Sequence, residues 1–208
     1  MERTVLITGK QSAFTDDLVQ ETLRRSERVY ASYDEADTAP EVPDTFGDTL
    51  HYIPWTRRSL ISARSLMLSV DRMERAPDHA IVVCAPEGVN TALHDTDASV
   101  IEEKIDAALK GYLFVVREIA SYFIRRGSGD LSILWYDPGV EVLPPLDAGL
   151  SGAIHGFSQS MLTFYENEPF TTRQLYASDA DGREVARWVV EQVLERGDKS
   201  AGRRHTYG

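Results

Sequence analysis

The 208-residue chain is 42% hydrophobic and 26% charged, the composition of a soluble globular protein long enough to bury one substantial core. Its net charge of −11 excludes nucleic-acid binding through a general electrostatic field, because neutralising phosphates takes clustered Lys and Arg, and the short clusters Arg24-Arg25 and Arg203-Arg204 do not change that. No apolar run is long enough to span a bilayer, the N-terminus lacks a signal peptide's basic-then-apolar layout, and the one cysteine, Cys84, excludes an internal disulfide, so the expectation is a cytoplasmic protein.

Residues Thr4 to Tyr33 open the chain as strand, turn, helix and strand. The apolar run Thr4-Val5-Leu6-Ile7 is followed by the turn Thr8 to Thr15 and a helical stripe of Leu18, Val19, Thr22 and Leu23. A second strand, Arg28 to Tyr33, follows a polar break. This is the order and length of a β-α-β crossover, the unit that commonly begins a dinucleotide-binding fold. Asp34 to Gly47, rich in Asp, Glu, Pro and Thr, reads as a solvated loop. Leu50 to Ile53 is a strand stopped by Pro54, and Ser59 to Met73 a helix with Leu60, Ala63, Leu66, Met67 and Val70 on one stripe. The most continuous apolar strand, Asp78 to Ala85, reads as a centre strand buried on both faces. Pro86-Glu87-Gly88 ends it, toward a ligand cleft.

A long helix from Asp97 to Arg126 starts at a capping box of Ser99 and Glu102. It turns Ile101, Ile105, Ala108, Leu109, Tyr112, Val115, Val116, Ile119 and Phe123 inward and stops at Gly127-Ser128-Gly129. A strand from Asp130 to Tyr136 and an Asp-Pro-Gly turn at 137–139 follow. The next helix, Ala148 to Tyr165, carries Gly149, Gly152, Ala153 and Gly156, which permit close packing against a neighbour. Thr172 to Tyr176 is a sixth strand, Arg183 to Arg196 a last helix, and 197–208 an edge strand or loose tail. The alternation predicts one α/β domain over 1–208, a three-layer, Rossmann-like doubly wound parallel sheet of six or seven strands flanked by helices.

Isolated motifs add little chemistry. The five histidines, His51, His79, His94, His155 and His205, show no metal-ligand spacing. Gly9-Lys10 lacks the preceding glycine of a P-loop. Gly156-Phe157-Ser158-Gln159-Ser160 approaches a nucleophile elbow but has Ser in place of the second Gly and lies inside a helix. Cys84, ending a buried strand, reads as a small core residue. Trp55, at a strand end, reads as core or interface, with base stacking as its functional alternative.

Several local matches, in order and spacing, resemble the short-chain dehydrogenase/reductase family over nearly the whole chain. They are Thr8-Gly9 after the first strand, Ala85 ending the fourth, Leu109-Lys110-Gly111 in the long helix, Ala153 and Gly156-Phe157 in the small-residue helix, and Glu184-Val185-Ala186 opening the last. The resemblance implies NAD or NADP as cofactor. It places the glycine-rich turn Thr-Gly-x-x-x-Gly-x-Gly on Thr8-Gly9-Lys10-Gln11-Ser12-Ala13-Phe14-Thr15, which makes Thr8, Gly9, Gln11, Ser12 and Phe14 candidate cofactor contacts. Ala13 and Thr15 replace two of the three glycines, so cofactor affinity is expected to be weakened or lost, while the helix N-terminus remains an anion site. Ala85 borders the cleft where Val83-Cys84-Ala85-Pro86 stands for the family's Asn-Asn-Ala-Gly. Asp34, or less favourably Tyr33, falls at the ribose position, where an acid favours NAD over NADP; the alternative for Asp34 is an ordinary loop acid.

The catalytic positions implied by the resemblance hold other residue types. The proton-donating tyrosine falls on Asp147, the lysine four residues on at Ser151, the serine at or beside Tyr136 and the asparagine at Ala108. Ser151 carries no charge to tune a neighbour. Tyr176-Ala177-Ser178-Asp179 runs almost directly into the last helix, where the family inserts a lid. The expectation is a family relative without reductase machinery, a non-catalytic binding or scaffold protein. Its alternatives are an NAD(P)-dependent oxidoreductase with a rearranged site, using Tyr136 or Asp147 for proton transfer, and a nucleotide sensor. The resemblance also implies a homodimer or tetramer through helices 97–126 and 147–165, with Ile105, Leu109, Tyr112, Gly152 and Gly156 at the contact. A small-molecule ligand stays open as a partner; metal, nucleic acid and membrane are not expected.

Overall fold

Seven parallel strands make one sheet in the order β3-β2-β1-β4-β5-β6-β7. They are β1 (Thr4–Gly9), β2 (Arg28–Tyr33), β3 (Leu50–Pro54), β4 (His79–Cys84), β5 (Asp130–Asp137), β6 (Thr171–Ser178) and β7 (Arg203–Tyr207). The structure, a computed structural model, describes residues 3–26, 28–35, 37, 39–139, 142–178, 181–196 and 201–207. Helices α1 (Ala13–Leu23) and α6 (Gly182–Val190) cover one face, and α2 (Leu60–Asp71), α4 (Gly111–Arg126) and α5 (Pro145–Phe164) the other. The expected three-layer, doubly wound α/β sheet is therefore present, with seven strands.

Alternation along each strand divides the core cleanly. Leu6, Ala80, Val82, Cys84, Leu131, Ile133 and Trp135 pack toward α2, α4 and α5, while Val5, Ile7, Ile81, Val83, Leu134 and Tyr136 pack toward α1 and α6. Covering both faces is what permits apolar runs as continuous as Ala80 to Cys84. The strand order reverses between β1 and β4, where Ile7 pairs with Ile81 on one side and Ala31 on the other. That reversal opens a crevice beyond the C-terminal ends of the strands, the usual ligand position in open α/β sheets.

Side-chain caps fix the helix starts. Ser12 accepts from the Thr15 amide, Ser59 from the Ser62 amide, and Asp181 from the amides of Arg183 and Glu184. The expected Ser99–Glu102 capping box does not form. The helix α3 (Ala98–Ile105) starts two residues earlier, with Asp97 rather than Ser99 at its cap position, so Ser99 already lies within the first turn. A π-helical turn, Asp106–Lys110, joins α3 to α4, and Gly127 at φ 75° ends the run. Among the described residues between β2 and β3 there is no long crossover helix. The acidic loop contains one 3-10 turn, Asp44–Phe46, and Val42 and Phe46 pack against the α1–α6 side of the core.

At the opposite, N-terminal edge of the sheet, Arg173 is wholly buried and ion-paired with Asp130. His79 Nδ1 lies 3.6 Å from Asp130. Burial pushes the His79 imidazole down to about 4, and the Arg173 charge pushes in the same direction. The Asp78 carboxylate opposes this shift without reversing it. Among the described residues, no helix is long and apolar enough to cross a membrane, and no group of three or more His, Cys, Asp or Glu is placed to hold a metal.

Candidate functional site

The turn after β1 is closed by its own atoms. Gly9 sits against β4 so tightly that a Cβ would lie 2.1 Å from the Val83 carbonyl oxygen, and the Lys10 amide donates to that oxygen at 3.3 Å. Glycine is needed here for close approach of strand to strand. The Thr15 hydroxyl donates to the Lys10 carbonyl at 2.7 Å and lies 3.1 Å from Ser12 Oγ. Thr15 thus braces the turn internally through both hydroxyl contacts. Thr8 is wholly buried and accepts from Ser32 Oγ at 3.0 Å, whereas Gln11 is exposed.

Phe14 leaves the turn toward the α1–α6 face and stacks on Tyr136, with ring centroids 4.0 Å apart at 21°. Strand alternation therefore sends Tyr136 to the face opposite α5. Loss of solvation pushes its phenol up, reinforced by Asp181, Asp137 and Asp17. That moves it away from the range useful for proton transfer near pH 7.

Asp147 has no exposed surface. From the first turn of α5 its Oδ1 accepts from the Glu87 amide at 2.8 Å, and its Oδ2 from the amides of Gly88 and Val89 at 3.0 and 3.2 Å. All three bonds are donated to Asp147, so the side chain clamps the segment after β4. Asp147 is thereby a structural acceptor. Ser151, four residues on, is half-buried on α5, and Ala108 is buried in the π-helical turn. Tyr136 packs toward α1 and α6, on the opposite side of the sheet from α5, which carries Asp147 and Ser151.

On the other side of the same segment lies an ionic cluster. The Glu87 carboxylate is 2% exposed and pairs with Arg57 at 2.7 Å and Lys104 at 3.8 Å. Lys10 Nζ donates to the Pro86 carbonyl across the mouth of the crevice. Loss of solvation lowers the Lys10 amine despite the opposing pull of Glu87, and the charges of Arg57 and Lys104 lower it further. Two cavities adjoin the cluster. One of about 120 Å³ is lined by Gly9, Lys10, Gln11, Asp34, Trp55 and Arg57 among others. The second, about 350 Å³, has Asp34, Thr56, Arg57, Glu87 and Lys104 in its wall.

Asp34 thus does reach the crevice, directly after β2, and Ala85, directly after β4, is half-buried. Trp55 is only 1% exposed and packs in the core, as one of its two readings expected, while it also borders the smaller cavity. Ser158 is buried inside α5 with its hydroxyl on the His155 carbonyl, so the apparent nucleophile elbow is ordinary helix. Burial pushes the Cys84 thiol up, leaving a core residue. The roles of Lys10, Arg57, Glu87 and Lys104 had no motif to announce them; the one sequence signal was the Pro86-Glu87-Gly88 turn at a centre-strand end.

The architecture is similar to that of solved short-chain dehydrogenase/reductase structures. A short chain dehydrogenase from Leptospira borgpetersenii serovar Hardjo-bovis, solved with bound NAD+, superposes with a TM-score of 0.82 over 99% of this chain and 91% of that one, at 16% identity. A gluconate 5-dehydrogenase from Burkholderia cenocepacia, in complex with NADP and tartrate, gives 0.81 over 100% and 94%, at 12% identity. A short-chain dehydrogenase from Streptomyces avermitilis gives 0.78 over 99% and 89%, at 11% identity. These likenesses establish the shared fold. No protein-family model matches the sequence, and no curated protein does.

Proposed function

We propose that this chain is a short-chain dehydrogenase/reductase-like protein without hydride-transfer chemistry, acting as a binding or scaffold protein whose dinucleotide affinity is weakened or lost. The observation that carries this reading is Asp147. At the position where the family resemblance puts the proton donor, both carboxylate oxygens hold the backbone of residues 87–89. The rearranged-enzyme alternative is disfavoured by the same geometry, because Asp147 is committed to the loop and Tyr136 faces the opposite layer. Only three residues separate β6 from α6, which leaves little chain for a water-excluding lid.

A nucleotide sensor is the second reading. The cavities beside Asp34, Lys10 and Arg57 favour it, since they lie at the crevice where the fold binds ligands, and fold relatives carry NAD+ or NADP. The test is direct: titrate the purified protein with NAD, NADH, NADP and NADPH by calorimetry and thermal shift, and follow NADH oxidation with a panel of carbonyl compounds. No turnover is expected. Saturable binding without turnover selects the sensor, and turnover with any carbonyl substrate overturns the proposal.

Self-association belongs to the same proposal. A Cβ added at Gly149, Gly152 or Gly156 would meet nothing within 4 Å beyond its own helix, so these positions lie on an open face of α5 rather than against the sheet. Ile105 and Leu109 are half-buried nearby, but Tyr112 is 1% exposed and belongs to the core, which removes it from the expected contact. A two-fold pairing of this face with a second copy is the partner we propose, in a cytoplasmic protein.

A further inference from the structure

We propose that residues 85–89 form a strap that closes the β1–β4 crevice from within, that Glu87 occupies the place of a ligand's anionic group, and that a phosphate-bearing molecule binds Arg57, Lys104 and Lys10 when Glu87 is displaced. The inference rests on the reading that the resting chain does not hold a dinucleotide in this crevice.

The strap is anchored at three points. Its backbone amides are held by Asp147, its Pro86 carbonyl by Lys10, and its Glu87 carboxylate by Arg57 and Lys104. Pro86 fixes its own φ, and Gly88 at φ 75° takes the left-handed turn that brings the next residue back under Asp147. These anchors differ in kind. Asp147 holds backbone alone, so the Glu87 side chain can leave its cations while the strap stays tethered to α5.

A carboxylate removed from water is tolerated when it is paired, and removing one partner strands the other. Exchanging one anion for another avoids that cost because the cations remain paired. The same Arg57 and Lys104 that hold Glu87 also line the 350 Å³ cavity, and Lys10 and Arg57 line the adjoining 120 Å³ cavity. An incoming anion therefore meets these side chains from the solvent side of the carboxylate it replaces. One guanidinium and two ammonium groups suit a phosphate or pyrophosphate, which carries more charge and more acceptors than a single carboxylate. In the resting state the strap is an autoinhibitory contact.

The test is calorimetric titration of inorganic pyrophosphate, with orthophosphate in parallel, into the full chain as wild type, Glu87→Ala, Glu87→Gln and Glu87→Ala/Arg57→Ala. Circular dichroism checks folding of each. Vacating the cradle in Glu87→Ala should raise pyrophosphate affinity about tenfold or more, with Glu87→Gln intermediate and the double variant returned to wild-type binding. If Glu87→Ala does not fold, Glu87→Gln, which keeps the side chain's shape, decides alone. Unchanged affinity in the folded Glu87 variants overturns the strap, as does a gain that survives loss of Arg57. Hydride transfer by the wild type is measured separately, so failure of the non-catalytic reading is distinguishable from failure of the strap.

Discussion

Replacing Asp147 separates a clamp from a proton donor. The side chain is wholly buried and accepts three backbone hydrogen bonds of 2.8, 3.0 and 3.2 Å. Asp147→Ala leaves the buried amides of Glu87 and Val89 without an acceptor. Hydrogen bonds to a charged group contribute about 1.5–3 kcal/mol each, but the three share one side chain and the strap relaxes when they go, so a net loss of about 3 kcal/mol is expected. Asp147→Asn keeps one acceptor oxygen and turns an amide group toward a backbone donor, for a loss of about 2 kcal/mol. Urea unfolding followed by tryptophan fluorescence and circular dichroism measures both; in a chain of this size 3 kcal/mol corresponds to about 6–12 °C in Tm. If Asp147 were instead a proton donor, Asp147→Asn would abolish turnover and leave the unfolding midpoint in place. An Asp147→Ala protein within about 0.5 kcal/mol of wild type would refute the clamp.

Two further outcomes follow from the buried groups and the glycines. His79 has a folded pKa of about 4 against 6.5 for an unperturbed imidazole, so below pH 6.5 the unfolded chain binds a proton that the folded chain refuses. Its contribution is present above pH 6.5 and is lost as pH falls toward 4, reaching about 3 kcal/mol of destabilisation. Urea midpoints of wild type and a folded His79→Gln between pH 7.5 and 4.5 should diverge with that sign, and parallel curves would contradict it. Gly111 and Gly152 are both helical, yet a Cβ on Gly111 would lie 2.4 Å from the Arg57 carbonyl oxygen while one on Gly152 meets nothing within 4 Å. Gly111→Ala should therefore destabilise by about 2 kcal/mol or more, and Gly152→Ala should stabilise a monomer by about 0.5–1 kcal/mol through helix propensity. Loss of self-association in Gly152→Ala, read by sedimentation, would locate the dimer contact on α5; unchanged association would exclude Gly152 from it.

Most of the sheet was legible because each strand needs cover on both faces and each helix on one. The apolar run Ala80 to Cys84 and the stripe of Ala63, Leu66, Met67 and Val70 announce those burials directly. Boundary residues were less legible. Ser99 and Glu102 have the right types and spacing for a capping box, but local chemistry does not specify whether the helix begins before or after Ser99. The site was partly legible: Asp34 does border the crevice, whereas the facing of Tyr136 depends on strand phase at the predicted strand end. Glu87, Arg57, Lys104 and Lys10 come from four separate elements, and nothing in a linear pattern pairs them.

Gly9 shows why this matters for testing function. From sequence, Gly9 is a cofactor residue, and Gly9→Val reads as a clean way to remove dinucleotide binding. In the structure, a Cβ at that position would meet the Val83 backbone at 2.1 Å, at the C-terminal end of the β1–β4 pairing. Neither backbone is the movable end of a side chain, so the variant must force the two central strands apart, and lost binding would report lost packing. Lys10 and Arg57 are better probes. Both line the crevice through side chains, and Lys10→Met keeps most of the apolar stem while removing the ammonium group. Reduced ligand binding in a Lys10→Met protein that melts near wild type would assign the crevice a binding role that no Gly9 variant can establish.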